Sequence, residues 1–224
     1  MREIPSSTIT NTKMLTRFAF SIAIVVATLT SAPHATADFI TIDFDGTGAP
    51  GLFSQTSALR NLFEEDGLNF FGPGENDGGA ILNQSGNFGI DARSGTDFLA
   101  FNRGVSYSDG GIATDPETLR FDGLVDFVSI WAGGGGISSF TMEAFLGDTL
   151  IATETITAPA EQWTELSISI QNLSGVTGFD SVVLTGDGLP FFVFDDLSFN
   201  TVPEPGSTLL IAAASMFTLV RRRK

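Results

Sequence analysis

Residues 124–132 read LVDFVSIWA, and this stretch decides the fold class. In an extended chain, successive side chains point to opposite faces. Phe127 and Trp131 would therefore lie on one face of a strand, and Val128 and Ile130 on the other. Because both faces are apolar, the pattern predicts an interior strand that is covered on both sides.

The sequence on either side of this stretch repeats a strand pattern. In residues 139–146, Phe140, Met142 and Ala144 alternate with polar residues, which is typical of a strand with one buried face. Similar runs occupy residues 39–44, 150–157, 163–170, 181–185 and 191–199. Turns rich in Gly and Asp separate the runs without helical stretches between them. The sequence therefore predicts an all-β fold, an antiparallel β-sandwich formed by a single domain.

The earlier part of this region, residues 46–111, is richer in Gly and Asn and less regular. Short strands are expected there at residues 69–71, 80–82, 88–91 and 98–101. One short helix is expected at residues 57–65. The four glycines at 133–136 predict a flexible hairpin connection, since they lack the Lys and the Ser or Thr of a phosphate-binding loop.

The first and last predicted strands resemble those of jelly-roll domains similar to carbohydrate-binding modules. Residues 191–199, FFVFDDLSF, resemble the last strand of many such domains, and residues 42–45, IDFD, are similar to their opening. In a jelly roll the first and last strands often pair. The resemblance therefore implies that the aspartates of the two segments come together.

These aspartates are the candidate calcium ligands. They are Asp43, Asp45, Asp195 and Asp196. Calcium takes six to eight oxygen ligands, usually several carboxylates and backbone carbonyls. Because side chains alternate along a strand, the first two are expected to point the same way and the last two to opposite faces. Solvated acids at strand ends are the alternative interpretation.

The segment between the chain's two ends is strongly acidic. Residues 38–201 hold all 26 acidic residues except Glu3 and Glu204, but only four of the 11 basic residues, so their net charge is −20. Such a surface repels nucleic acid and anionic lipid headgroups, because like charges would have to meet. It attracts cations, although acidity also serves solubility alone.

Residues 38–201 contain no Cys, His or Lys, and the one histidine of the chain is His34. This absence excludes a Ser-His-Asp triad, a Cys-His pair, zinc sites built from His or Cys, and Schiff-base chemistry. We therefore expect that the protein is not an enzyme. A pair of carboxylates that hydrolyses a glycan is the remaining catalytic alternative, with Glu143 as its most enzyme-like acid.

Trp163 and Tyr107 are the candidate glycan contacts, because an aromatic ring offers an apolar face beside a polar tip. Trp163 follows Glu161 and Gln162 at the start of a strand, and Tyr107 lies between two serines. Packing at the rim of the core is the alternative interpretation for Trp163. Trp131 is expected in the core.

The C-terminal end has three parts: a Pro-Glu-Pro motif, an uncharged run at residues 206–220 and a basic end. As a helix, this run would rise about 22 Å, less than the ~30 Å of a hydrocarbon core, which suits a temporary membrane foothold. The order of the parts resembles the PEP-CTERM sorting tail of Gram-negative bacteria. The matching residues are Pro203, Glu204, Pro205, Arg221, Arg222 and Arg223.

This resemblance implies a destination for the protein. In that family an exosortase, a membrane protease, is thought to cut near the motif and to pass the protein outward from the inner membrane. Such proteins usually accompany exopolysaccharide production. The resemblance also implies a transmembrane helix at residues 209–220, and an ordinary membrane anchor is the alternative.

The N-terminal end predicts a secretory signal peptide. Basic residues precede the apolar residues 18–29, and an Ala-Thr-Ala cleavage site ends at residue 37. Both Met1 and Met14 are compatible as the start of this signal. The expected organisation is a signal peptide at 1–37, the β-sandwich at 38–201 and the sorting signal at 202–224.

The sequence thus leads us to expect an exported protein of the cell surface or the extracellular matrix. We expect it to be processed by an exosortase, to associate with exopolysaccharide and to act by binding or as a structural component. A dedicated glycan-binding module is the first alternative. A carboxylate-pair glycan hydrolase is the second.

Overall fold

The computed structural model describes residues 37–52, 55, 59, 61–71, 80–86, 88–100, 117–171, 173–187 and 192–203. Residues Ala37–Val202 form one compact unit, and the described part of it contains ten strands. The strands are β1 (Phe39–Ile42), β2 (Leu68–Phe71), β3 (Ala80–Asn83), β4 (Asp97–Ala100), β5 (Glu117–Gly134), β6 (Ser138–Leu146), β7 (Thr149–Ala158), β8 (Thr164–Ser169), β9 (Phe179–Asp187) and β10 (Phe192–Thr201). Short 3-10 helices cover Glu64–Asp66 and Gln84–Gly86.

The longest strand, β5, pairs with different neighbours along its two halves. Its first half lies between β2 and β9, where Leu119 is opposite Phe70 and Val182. Its second half lies between β10 and β8, where Val128 is opposite Phe199 and Ile168. The strand order is therefore β3-β4-β10-β5-β8 in a first layer and β2-β5-β9-β6-β7 in a second layer, and every pairing is antiparallel.

Aromatic contacts show that the two layers face each other. Strands β6 and β10 are separated by β9 and β5, and three strand spacings within one flat sheet amount to about 14 Å. Yet the ring centroid of Phe140 on β6 lies 5.4 Å from those of Phe192 and Phe194 on β10. The sheet must therefore turn over on itself at β5, which confirms the predicted antiparallel β-sandwich.

The main core fills the space between the layers. Burial alternates along β6 as predicted, because Phe140, Met142 and Ala144 are fully buried while the residues between them are half-buried. Leu166 and Ile168 of β8 follow the same rule. Each fully buried large apolar side chain contributes roughly 2–3 kcal/mol of transfer free energy, so this alternation stabilises the sandwich.

The first and last strands pair, as the jelly-roll resemblance implied. β1 lies antiparallel to β10, with Ile42 opposite Leu197 and Phe39 opposite Asn200. The other end of β10 pairs on the same edge with β4, where Val193 is opposite Ala100. The change from one partner to the other coincides with a break in the pairing of β10 with β5.

A second, smaller cluster lies against the first layer. It contains side chains of β3, β4 and β10 that alternate with those of the main core, such as Leu82, Phe98 and Val193. Residues 88–96, which we call the covering loop, close this cluster with Phe88 and partly buried neighbours. The loop therefore packs on the face of the layer that points away from the main core.

The strand predicted at residues 88–91 is wrong, because this stretch belongs to the covering loop. Gly89 has a φ of +74°, and a Cβ on it would lie 2.5 Å from the Cα of Gly135. Such a close backbone approach requires glycine on the loop and leaves no extended strand. The expected flexible hairpin at 133–136 is correct only in part, since Gly133 and Gly134 end β5 and are buried.

Several other expectations lie outside the described residues. These are the signal peptide apart from Ala37, residues 57, 58 and 60 of the helix expected at 57–65, and the sorting tail after Pro203. The described end of that helix is instead a turn at 61–63 followed by the 3-10 helix Glu64–Asp66. Over the described ranges, no helix is both long and apolar enough to cross a membrane. The domain boundaries at 37 and 202 stay predictions.

Candidate functional site

Asp195 on β10 is fully buried beneath the covering loop. One oxygen of its carboxylate, Oδ2, accepts hydrogen bonds from the backbone N–H groups of Arg93 (2.8 Å) and Ser94 (3.2 Å). The other oxygen, Oδ1, accepts the N–H of Asp196 at 2.8 Å. Three backbone donors therefore satisfy a carboxylate that has no access to water.

Burial raises the pKa of Asp195 from 3.8 to about 7, because the charged form loses its hydration. The N–H groups of Ser94, Arg93 and Asp196 act in the opposite direction, since they favour the carboxylate. The neighbouring charge of Asp196 adds to the rise. Desolvation is the largest of these effects, so this carboxyl titrates near neutral pH.

Asp196 also turns towards the covering loop, although alternation along a strand predicted the opposite face. The expectation was wrong because the register with β5 shifts between Asp195 and Ser198, and Asp196 has a φ of +47°. Its carboxylate forms an ion pair with the Arg93 guanidinium and accepts a hydrogen bond from the Ser94 hydroxyl at 2.7 Å. Both aspartates thus hold the same two loop residues.

The guanidinium of Arg93 covers Trp131. Its central carbon lies 3.8 Å from the centre of the Trp131 ring, within cation–π range. The Arg93 side chain is 35% exposed and that of Asp196 13%. Trp131 is therefore half-buried under the loop, and it does not lie in the main core as the sequence predicted.

Asp45 holds the last residues of the covering loop and the start of β4. Its Oδ1 accepts the backbone N–H groups of Thr96 (2.9 Å) and Asp97 (3.1 Å). Gly95, with a φ of +50°, lies directly under this carboxylate, where a Cβ would overlap the oxygens of Asp45. Glycine is required at this position for both reasons.

Asp43 is exposed, and its Oδ1 accepts the backbone N–H of Asp45 at 3.1 Å. The four aspartates of the calcium prediction therefore lie around the C-terminal end of one loop, as hydrogen-bond acceptors of that end or of each other. In the described part of the chain, no three acidic, His or Cys side chains are grouped so as to hold a metal ion. Calcium binding stays a prediction.

A cleft of about 530 Å³ opens beside this loop. Its wall combines apolar side chains with groups that donate or accept hydrogen bonds. The lining residues are Gln84, Phe88, Gly89, Ile90, Asp91, Ala92, Arg93, Glu161 and Trp163. The cleft therefore lies between the covering loop and the turn that leads from β7 to β8.

Trp163 is both a packing residue and a cleft residue. Its ring rests on the backbone of β5, since a Cβ on Gly133 would lie 3.1 Å from its Cε3, and it packs against the second cluster. Its indole N–H donates to the Asp91 carbonyl at 3.1 Å. The indole is thus fixed in place while part of it lines the cleft, so the two interpretations of Trp163 are compatible.

The residues of this site that were missed at the level of sequence include Gln84, Arg93 and Gly95. Gln84 accepts the N–H of Ala92 through its side-chain oxygen at 3.0 Å and lines the cleft. Arg93 is one of only four basic residues in the acidic segment, and that rarity was a signal that could have identified it. No sequence pattern marks the other two.

Glu143, the acid of the hydrolase alternative, lies on the outer face of β6. Its cross-strand neighbours are Thr153 on β7 and Val183 on β9, and its neighbours along β6 on that face are Thr141 and Phe145. None of these four is acidic, so they supply no second carboxylate.

The structure does not describe several other predicted site residues. These are Tyr107, Glu204, Pro205 and the three arginines of the basic end, and Pro203 is the last described residue.

Several solved structures are similar to this chain, although no curated protein matches it. They include the K2 cleaved adhesin domain of Lys-gingipain, at 14% identity and a TM-score of 0.42, covering 72% of this chain and 97% of that one. The C-terminal family 22 carbohydrate-binding module of Clostridium thermocellum Xyn10B has 15% identity and a TM-score of 0.39, covering 79% of this chain and 98% of that one. TmCBM61, solved with β-1,4-galactotriose, has 14% identity and a TM-score of 0.35, covering 66% and 99%. Similarity of this degree carries no argument about a ligand.

The C-terminal end matches a family model directly. Residues 201–224 correspond to the PEP-CTERM protein-sorting motif, which confirms the resemblance drawn from Pro203, Glu204, Pro205 and the basic end. The motif covers about a tenth of the chain and concerns its destination alone. This chain carries a PEP-CTERM protein-sorting motif, which implies export to the cell surface or beyond it.

Proposed function

We propose that this exported β-sandwich binds a glycan in the cleft beside the covering loop. The observation that carries the proposal is the position of Trp163, whose indole is fixed by the Asp91 carbonyl while it lines the cleft. A ring that is already immobilised loses little conformational freedom on binding, so its apolar face is ready for a sugar ring.

Polar groups around Trp163 suit the hydroxyl groups of a sugar. The cleft wall includes Asp91 and Glu161, whose carboxylates are hydrogen-bond acceptors, and Gln84, which has a side-chain amide. The amide oxygen of Gln84 is engaged by Ala92, which leaves its NH2 group as a donor among the described contacts. Such a mixture of one aromatic face and a few polar groups is typical of small-ligand clefts.

The acidic composition favours an uncharged glycan. The segment around the cleft carries a net charge of −20, and Arg93, the one cation among the described residues of the cleft wall, is paired with Asp196. A polymer of uronic acids would have to bring carboxylates against this surface. We therefore propose a non-catalytic role on a neutral polysaccharide outside the cell.

Binding to an array of neutral and acidic oligosaccharides tests this function. We expect the purified full chain to bind neutral glycans on the array. The affinity of Trp163→Ala for them should be lower by about tenfold or more. Trp163→Phe keeps an aromatic face and should retain most of the binding. Phe71→Ala, which removes an exposed ring on β2, is the matched control and should bind like the wild type.

If the wild type and a folded Trp163→Ala variant bind glycans equally well, the cleft is not the glycan-binding site.

Glu143→Gln separates glycan binding from the hydrolase alternative. If the protein only binds, this variant should change neither binding nor the recovery of intact oligosaccharide after incubation. Release of shorter products by the wild type alone would establish hydrolysis.

We also propose that an exosortase-type membrane protease processes the tail and that the protein joins the exopolysaccharide outside the inner membrane. The support is the sorting motif at residues 201–224. Replacing Pro203, Glu204 and Pro205 by alanine should leave uncut protein in the membrane fraction, which an immunoblot of fractionated cells would detect. Normal release of this variant would contradict the processing step.

A further inference from the structure

Strand β7 lies at the end of the second layer and has an open edge. It pairs with β6 over Thr149–Ala158, and it has no second hydrogen-bonded partner among the described strands. An open edge of this kind presents unpaired backbone N–H and C=O groups that can bind another strand. At ten residues β7 is long for an edge strand.

Most of the usual features that protect an edge are missing from β7, although its register with β6 shifts at Ile151, before the part of the strand around Thr155. Its sequence, TLIATETITA, contains no Lys and no Pro, and Glu154 is its one charged residue. Six of its ten positions are the β-branched residues Thr or Ile, which extended chains accommodate well. On a segment with a net charge of −20, this edge is a place of low charge where a second copy could approach.

The sequence of β7 is also nearly symmetric about Thr155. In an antiparallel pair related by a twofold axis at this residue, Thr155 would face its own copy and Thr153 would face Thr157 of the other chain. Glu154 would face Ile156, so that the two glutamates would not lie opposite each other. An axis at Glu154 would place like charges directly opposite, which is unfavourable.

The existing pairing shows what such threonines do at an interface. Thr155 lies opposite Thr141 of β6, and their hydroxyl oxygens are 2.9 Å apart, at hydrogen-bonding distance. The same outward face carries Thr153 and Thr157. A second copy would continue this threonine face across the new pair, with cross-strand contacts of the kind already formed.

We propose that two copies of this chain associate by antiparallel pairing of their β7 strands about Thr155, which joins their second layers into one continuous sheet. The interface uses the same surface of both copies, so it closes at a dimer. The other strands at the ends of the two layers offer shorter edges, since β2 and β3 have four residues each and β8 has six.

Sedimentation of the full chain and its variants tests the pairing. The wild type should form dimers at micromolar concentrations, and added salt should favour them by screening the net charge. Thr155→Glu and Thr155→Lys each place like charges opposite each other, and each should weaken association by about tenfold or more. A mixture of the two variants pairs opposite charges and should restore the dimer.

Two controls separate this pairing from changes in folding. Thr155→Val keeps a β-branched side chain without charge and should dimerise like the wild type. Ser167→Glu adds a charge to an exposed position of β8 and should also leave the dimer intact. A monomeric wild type, or dimers that persist in both charged variants of Thr155, would overturn the proposal.

Discussion

The carboxylate of Asp195 holds the backbone of Arg93, a residue 102 positions earlier in the chain, through an N–H···O hydrogen bond of 2.8 Å. With the neighbouring bonds to Ser94 and Asp196, it ties the covering loop to β10. This carboxylate is fully buried. The wall of the cleft therefore depends on an ionisable group that water does not reach.

The stability of the protein should depend on pH through Asp195. The pKa of its carboxyl is about 7 in the folded protein and close to 3.8 in the unfolded chain. Between these values the folded state keeps a proton that the unfolded state releases, so the free energy of unfolding should fall as pH rises from about 4 to about 7. One pKa unit corresponds to about 1.4 kcal/mol, so the loss is at most about 4 kcal/mol.

Urea unfolding of the wild type and of Asp195→Asn across this pH range measures the effect. The asparagine should cost about 1–3 kcal/mol at acidic pH, because its NH2 group must face a backbone donor. The difference between the two proteins should shrink as pH rises towards 7. Asp148→Asn, at an exposed turn, is the control. A difference that stays constant from pH 4 to pH 7 would contradict the role of Asp195.

The ion pair between Asp196 and Arg93 should make a smaller contribution. The pair is partly exposed, so a double-mutant cycle with Asp196→Asn and Arg93→Gln should give a coupling energy of about 1 kcal/mol or less. Arg93→Gln should also uncover Trp131. In a Trp163→Phe background, the fluorescence of Trp131 should then shift to longer wavelength, and an unchanged spectrum would argue against the stacked geometry.

Gly95→Ala should be strongly destabilising. Its Cβ would overlap the carboxylate of Asp45, and its φ of +50° is unfavourable for alanine. We expect a loss of about 2 kcal/mol or more. Gly46→Ala is the matched control, because Gly46 has a φ of +75° but open space around it, and its cost should be about 1 kcal/mol. If thermal or urea unfolding shows that both variants lose the same free energy of unfolding, the steric overlap at Gly95 is excluded.

The calcium prediction for Asp43, Asp45, Asp195 and Asp196 has a direct test. A bound ion stabilises the folded state by mass action, so calcium should raise the melting temperature relative to a chelator. Magnesium at the same concentration controls for ionic strength, since it favours fewer protein ligands and a stricter geometry. The same melting temperature in calcium, magnesium and chelator would remove calcium from the description of this site.

The parts of the fold that the sequence predicts are those with regular alternation. Phe140, Met142 and Ala144 could be assigned to one face because β6 keeps its period of two throughout the buried part. Residues 88–91 also look like a strand, but they fold as a loop because the close approach of Gly89 to Gly135 depends on how distant segments meet. Local pattern carries no information about such approaches.

The candidate site was predictable in its residue types and not in its contacts. The resemblance of both ends to a jelly roll placed Asp43 and Asp45 near β10, and β1 does pair with β10. The sequence could not show that Asp195 and Asp196 face the same loop, because a shift in register and one positive φ reverse the expected alternation. Nor could it pair them with Arg93 across more than one hundred residues.

The continuous course of β5 through both layers has a consequence for unfolding. Its 18 residues belong to one unbroken segment with neighbours on both sides in each half, so neither layer can lose this segment without opening the other. Hydrogen exchange should therefore find amides of Leu119 and Ile130 protected to a similar degree and released in one event. The sandwich should therefore unfold as one cooperative unit, because a single strand belongs to both of its layers.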